Sequence, residues 1–419
     1  MKNLLIYCCV ALFLVSCGNS GRQREKKDNR ADSLETTSLI KPTVNVYVDN
    51  SGSMAGYVNG NTPFKDAVYN YLTDIKISEI TDELNLFYIG KNHIPKGSDI
   101  KDFIDKLKPN LFKEGETDIA NMFEEILKIT EDNQISIFIT DGIFSPGKKD
   151  ADNYLVNQQI GIKRTMAEYL KKCPSTAVLI YQLSSNFKGT YYNRKDEKTE
   201  INDLRPYYIW VIGDIKNIAL LKASIPDINF KGGGIQHSFT LLPSFEKEID
   251  FSILNTPKFG TFDRDKKLTK TSIYNIKKAS SGVQQGTFMF TIGMDLSLFS
   301  ILLGDEYLMN TESYAQLINK QPNNDYFIEI EHNTNPNTGY THSMKLTTDK
   351  ISVGELEIIL RNHLPDWVSE INDDEGLNIH KNNAINKTFG IKYLVEGIYE
   401  AYQMRGNTIY TTMKFNLKK

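Results

Sequence analysis

The chain has 419 residues, 40% hydrophobic and 24% charged, with a formal net charge of −3. That length exceeds one ordinary core and predicts two folded domains, while the composition excludes global disorder. No basic run is concentrated enough to point to nucleic acid, so that class of partner is set aside.

The first stretch, Met1 to Cys17, has one Lys, an apolar run from Leu4 to Val15, and then Ser16-Cys17. A charged start, an apolar core too short to span as a stable helix and a small residue before the cut predict a secretory leader over residues 1–16. Leu14-Val15-Ser16-Cys17 also resembles a bacterial lipoprotein lipobox. The resemblance implies cleavage before Cys17, acylation of that residue, and a lipid-anchored place in the bacterial cell envelope. Gly18 follows where Asp would imply inner-membrane retention, so the outer membrane is expected. The alternative is an ordinary secretory peptide with an incidental Cys. Cys8 and Cys9 leave with the leader, so Cys173 is the remaining thiol and no internal disulfide is expected. Residues 17–42 then read as a lipidated Cys and a flexible tether, polar and mixed in charge.

From Thr43 the pattern alternates strand and helix. Val44 to Val48 alternates and is rich in β-branched residues, as a strand does. Thr62-Pro63 opens a helix with Phe64, Val68, Tyr71, Leu72 and Ile75 on one face. Leu84 to Ile89 is a strand, and Ser98 is expected to cap a helix presenting Ile100, Phe103, Ile104 and Leu107. Ile119, Met122, Phe123, Ile126 and Leu127 mark another helix, followed by a strand from Ile135 to Thr140. A longer helix over about Asp152 to Lys172 precedes strands Ala177–Leu183 and Tyr207–Ile212. Strands separated by helical runs predict an α/β fold, a doubly wound and mostly parallel sheet of Rossmann-like type, over residues 43–223.

Lys231-Gly232-Gly233-Gly234 breaks that grammar. Strand-like runs follow at Ile235–Leu242, Thr287–Leu296, Tyr326–Glu331, Ser343–Thr347 and Leu356–Leu360. A helix with Ile391, Leu394, Val395, Ile398 and Tyr402 on one stripe and a strand from Thr408 to Phe415 end the chain. Residues 230–419 therefore read as a β-rich α+β second domain.

In open α/β sheets, ligands sit beyond the carboxyl ends of strands where the strand order reverses. Asp49 ends the first strand and is followed by Ser51 and Ser53, Asp141 ends the strand at Thr140, and Thr117 lies in the intervening loop Lys113–Asp118; if those two strands are neighbours at the switch point, the carboxylates face one another. Two carboxylates only a few ångströms apart repel unless a cation lies between them. Hard oxygen donors of this kind, too few to fill a cage, suit Mg²⁺ with coordination positions left open.

Asp49-x-Ser51-x-Ser53, then Gly115-Glu116-Thr117, then Thr140-Asp141-Gly142 resemble the metal-ion-dependent adhesion site of von Willebrand factor type A domains. The resemblance implies that Ser51, Ser53 and Thr117 supply hydroxyl oxygens to Mg²⁺ (or Mn²⁺ or Ca²⁺). Asp49 and Asp141 would act directly or through bound water, leaving one position for a carboxylate of a protein partner. Asp118 is expected at the start of the following helix, and Glu114 and Glu116 on a solvated loop.

Other chemistry is weaker. Ser51-Gly52-Ser53 lacks the Gly-x-Ser-x-Gly nucleophile elbow. The six histidines show no His-Glu-x-x-His spacing; His332 and His342 flank a hairpin across which they could approach each other, and they read as exposed turn residues. Trp210 and Trp367 read as core, and the acidic stretch after Trp367 as a solvated loop. The sequence thus predicts a non-enzymatic, lipid-anchored binding module that holds a partner carboxylate through a divalent cation. A metal-dependent hydrolase, or a subunit of an envelope enzyme complex, is the alternative.

Overall fold

Val44, Val46 and Val48 are fully buried on one face of the first strand, β1 (Thr43–Asp49), and the alternate residues Asn45, Tyr47 and Asp49 are buried on the other. A strand with two buried faces needs layers on both sides. The computed structural model describes residues 41–112, 118–147, 150–243, 247–264, 270–335 and 338–419, and residues 41–419 form one compact unit.

The strands around β1 are β2 (Leu84–Ile89), β3 (His93–Pro95), β4 (Gln134–Thr140), β5 (Thr176–Tyr192), β6 (Lys198–Asp214) and β7 (Ile235–Leu241). They form a seven-stranded sheet in the order β3-β2-β1-β4-β6-β5-β7. The helices between them are α1 (Pro63–Ile77), α2 (Ile100–Lys106), α3 (Ile119–Ile129), α4 (Ala151–Lys172) and α5 (Ile215–Ser224). Tyr207 and Trp210 face opposite sides of β6. Phe64 of α1 meets Tyr207 with ring centroids 5.0 Å apart, and Phe123 of α3 meets Trp210 at 6.3 Å. Helices therefore cover both faces, as the doubly wound α/β reading expects.

The sheet is parallel where β2, β1 and β4 meet and antiparallel beyond. The expected βα alternation fails between β5 and β6 because only a tight turn joins them. They pair as one long hairpin from Thr176↔Asp214 to Tyr192↔Lys198. Its outer half is richer in polar residues than its inner half, yet Phe187, Tyr191 and Ile201 remain buried. Phe187 stacks edge-on against Tyr57, centroids 5.0 Å apart, in the 3₁₀ turn Gly52–Val58. Gly56 permits this approach, since a Cβ there would stand 2.4 Å from the Phe187 ring. The α2 cap also differs from expectation by one residue: Asp99, not Ser98, accepts the Asp102 N–H.

Beyond β7 lie β8 (Phe251–Ile253), β9 (Thr261–Asp263), β10 (Ser272–Lys277), β11 (Phe288–Met294), α6 (Ser297–Leu302) and α7 (Asp305–Met309). Next come β12 (Tyr314–Ile318), β13 (Gln321–Pro322), β14 (Phe327–His332), β15 (His342–Thr348), β16 (Gly354–Arg361) and α8 (Trp367–Glu370). The chain ends with β17 (Asn372–Asp373), β18 (Thr388–Phe389), α9 (Ile391–Gln403) and β19 (Ile409–Leu417). One sheet runs β13-β12-β16-β19-β10-β9 and another β14-β15-β11-β8. Phe415 of the first meets Phe251 and Phe290 of the second, so the two share a β-rich core. β7 follows the glycine break yet pairs with β5, continuing the first sheet.

Helix α9 joins the β-rich part to α4. Gly397 lies where a Cβ would be 2.8 Å from the Gln159 carbonyl oxygen, so the two backbones approach closely. Gln159 and Lys163 each bond the Glu400 carboxylate at 2.7 Å.

Candidate metal centre

Parallel register places Val48 beside Ile139, so β1 and β4 end together. β1 continues to β2 on one side and lies against β4 on the other, which makes their shared edge the point of strand-order reversal. Asp49 and Thr140 are neighbours there, with Asp141 one residue on.

Each Asp49 oxygen accepts a hydrogen bond. Oδ1 takes the Ser51 N–H at 2.8 Å, bending the chain into the turn, and Oδ2 takes the Thr140 hydroxyl at 2.7 Å. Thr140 Oγ1 in turn accepts the Gly142 N–H at 3.1 Å. Ser51 Oγ and Ser53 Oγ lie 3.0 Å apart. Asp141 Oδ1 accepts the Ile143 N–H at 3.2 Å, while its Oδ2 is buried without a hydrogen-bond partner. Asp49 and Asp141 are each 2% exposed. Ser53 is half-buried, the more open of the two serines.

Burial raises the Asp49 pKa, with repulsion from Asp141 adding to it; the Thr140 and Ser51 hydrogen bonds oppose the rise. Burial also raises Asp141, against the pull of the Ser53 hydroxyl, the Ile143 N–H and the Arg205 guanidinium. Two buried acids that disfavour their own ionisation, beside two hydroxyls and an unpartnered carboxylate oxygen, form an acceptor-rich pocket of hard oxygens.

Four of the predicted site residues thus come together: Asp49, Ser51, Ser53 and Asp141. Thr117, Glu114 and Glu116 lie outside the described residues, as do Cys17 and the leader. Asp118, just after that loop, caps α3 by accepting the Ala120 N–H at 3.0 Å, and its other oxygen takes the Gln158 amide at 3.0 Å.

Sequence reasoning passed over three residues here. Thr140 positions Asp49; its signal was a hydroxyl at a strand end in register with that acid. Asn50 Oδ1 is buried and unpartnered beside Asp49. Arg205 is 2% exposed, and its guanidinium donates to the carbonyls of Ala384, Ile385 and Lys387 at 2.9–3.0 Å. A lone Arg opening the apolar run Pro206–Gly213 was the sequence signal for it.

The β-rich part supports the site loop directly. Tyr208 donates its hydroxyl to Thr388 Oγ1 at 3.0 Å, and the Phe144 N–H bonds the Phe389 carbonyl at 3.3 Å. Gly142, at φ +71°, turns the chain where a Cβ would meet Ile391 at 2.8 Å.

No protein-family profile matches the chain, and no curated protein does either. A solved structure with some likeness is an aerotolerance-related membrane protein from Bacteroides fragilis NCTC 9343, carrying multiple mutations to serines. It is 13% identical, the match covers 38% of this chain and 81% of that one, and the TM-score is 0.25. A likeness of that size carries no argument about this chain. Among the described residues, no helix is long and apolar enough to cross a membrane.

Proposed function

We propose that the β1/β4 edge binds Mg²⁺, or a similar hard divalent cation, in the manner of a von Willebrand type A adhesion site. In this reading the chain is a lipid-anchored envelope module, tethered through Cys17, that grips an acidic side chain of a protein partner. The observation that carries it is the pairing of buried Asp49 with Asp141, whose Oδ2 has no hydrogen-bond partner, next to the Ser51 and Ser53 hydroxyls. A cation there relieves the repulsion between the acids and supplies the missing partner of Oδ2. Thr117 joins the set on the sequence pattern alone. The metal, when bound, supplies an electrophilic position for an incoming carboxylate. Asp49 and Asp141 would balance its charge and the Ser51 and Ser53 hydroxyls would ligate it, while Thr140 holds Asp49 through its hydroxyl and the Arg205 charge favours ionised Asp141.

Capture of envelope proteins on the immobilised chain, in Mg²⁺ and in EDTA, tests the reading. A partner retained in Mg²⁺, released by EDTA and lost with Ser53→Ala is the expected result. A partner whose retention ignores both EDTA and Ser53→Ala would overturn it. Phosphatase and esterase activity unaffected by Asp49→Ala would separate binding from the metal-dependent hydrolase alternative.

A further inference from the structure

A second cluster of ligand-type side chains lies far along the chain from the β1/β4 edge. The antiparallel register of β14 and β15 sets His332 opposite His342, with ring centroids 5.0 Å apart. Asp305, which begins α7, places Oδ2 3.3 Å from His332 Nε2. One ligating atom from each of the three residues lies within 4.8 Å of the others.

Contrary to the exposed turn position expected from sequence, His342 is in a strand and 1% exposed, and its Nε2 has no hydrogen-bond partner. Its other ring nitrogen, Nδ1, lies against Thr341. Thr341 Oγ1 lies 2.9 Å from His342 Nδ1, accepts the Leu296 N–H at 2.9 Å and reaches the Met294 carbonyl at 3.4 Å. A hydroxyl has one proton and two lone pairs. With one lone pair taken by Leu296, the other can accept the His342 Nδ1–H when the hydroxyl proton turns to the Met294 carbonyl. That arrangement leaves the Nε2 lone pair as the free atom, the outer-shell pattern that orients metal-binding imidazoles. An ion pair between His332 and Asp305 accounts for those two residues alone and leaves the buried Nε2 without a role.

We infer that Asp305, His332 and His342 form a second cation site, selective for an imidazole-seeking first-row ion such as Zn²⁺. Two imidazoles and one carboxylate are a three-ligand set of the kind zinc accepts, with the remaining coordination open to solvent past the exposed Asp305 and His332. The set differs from the hard-oxygen edge at Asp49, and the inference stands whether or not that edge binds Mg²⁺.

The test is calorimetric titration of Zn²⁺ into the full chain in millimolar excess of Mg²⁺. One equivalent of Zn²⁺ is expected, with affinity reduced about tenfold or more in His332→Gln and in Asp305→Asn. Both replaced side chains are exposed, so these variants keep the fold, verified by circular dichroism, where His342→Asn can disturb the sheet. Folded parent protein that takes up no stoichiometric Zn²⁺, or His332→Gln that binds it as tightly as the parent, would overturn the inference.

Discussion

Asp49 and Asp141 occupy similar burial yet differ in their partners: both oxygens of the first accept a hydrogen bond, and one oxygen of the second accepts none. With burial as the leading cause in each, both carboxyls hold protons more tightly in the folded chain than in the unfolded one. The linkage sign follows directly. Their contribution to stability is fully present below the ordinary carboxylate range, near pH 4, and is lost as pH rises through the raised folded values. In EDTA the melting temperature should therefore fall as pH increases above about 4 through this pair, and Mg²⁺ should flatten the fall. A pH profile that is the same with and without Mg²⁺ would count against a cation between the acids. Asp49→Asn removes one of the two repelling groups, so in EDTA its melting temperature should equal or exceed the parent's at pH 7. The same variant should lose the gain that Mg²⁺ gives the parent, about 2.7 kcal/mol at a hundred times Kd. A large loss of stability in EDTA would instead mark Asp49 as a purely structural residue.

Two elements hold the site from outside its own loops. The β5–β6 hairpin reaches over the turn that carries Ser53, and the β-rich part braces the loop after Asp141. Arg205 belongs to both arrangements, being a hairpin residue whose guanidinium satisfies three carbonyls of the 384–387 turn. Arg205→Met leaves those carbonyls without their donor and should cost about 3 kcal/mol in urea denaturation. It also removes the charge that lowers Asp141, so the pH dependence of stability in EDTA should steepen. An unchanged denaturation midpoint would show that water replaces the guanidinium. At the α4–α9 contact, Gly397→Leu forces a side chain toward the Gln159 carbonyl, and overpacking of this kind costs about 2 kcal/mol. Parent-like stability for that variant would mean that the two helices separate easily.

Across the whole molecule, legibility in the sequence tracked how local each signal was. α1 and β2 were readable because their apolar periods and caps lie within a few residues of one another. The outer half of the β5–β6 hairpin was not, since its many polar residues pair across the ladder rather than with a core in their own segment. The adjacency of β1 and β4 could be stated only as a condition from sequence, and the register meets it. Arg205 and Thr140 escaped because their partners lie in distant or opposed segments that no spacing rule links, whereas the approach of His332 and His342 across a hairpin was legible and only the burial of His342 was not. A hard divalent ion between Asp49 and Asp141 is tested most directly by titration of Mn²⁺ into the full chain, followed by electron paramagnetic resonance. A bound equivalent that excess Mg²⁺ displaces, and that both Asp49→Asn and Asp141→Asn abolish, is the expected result. A Mg²⁺-displaceable equivalent that persists in both variants, or none in the folded parent, would contradict it.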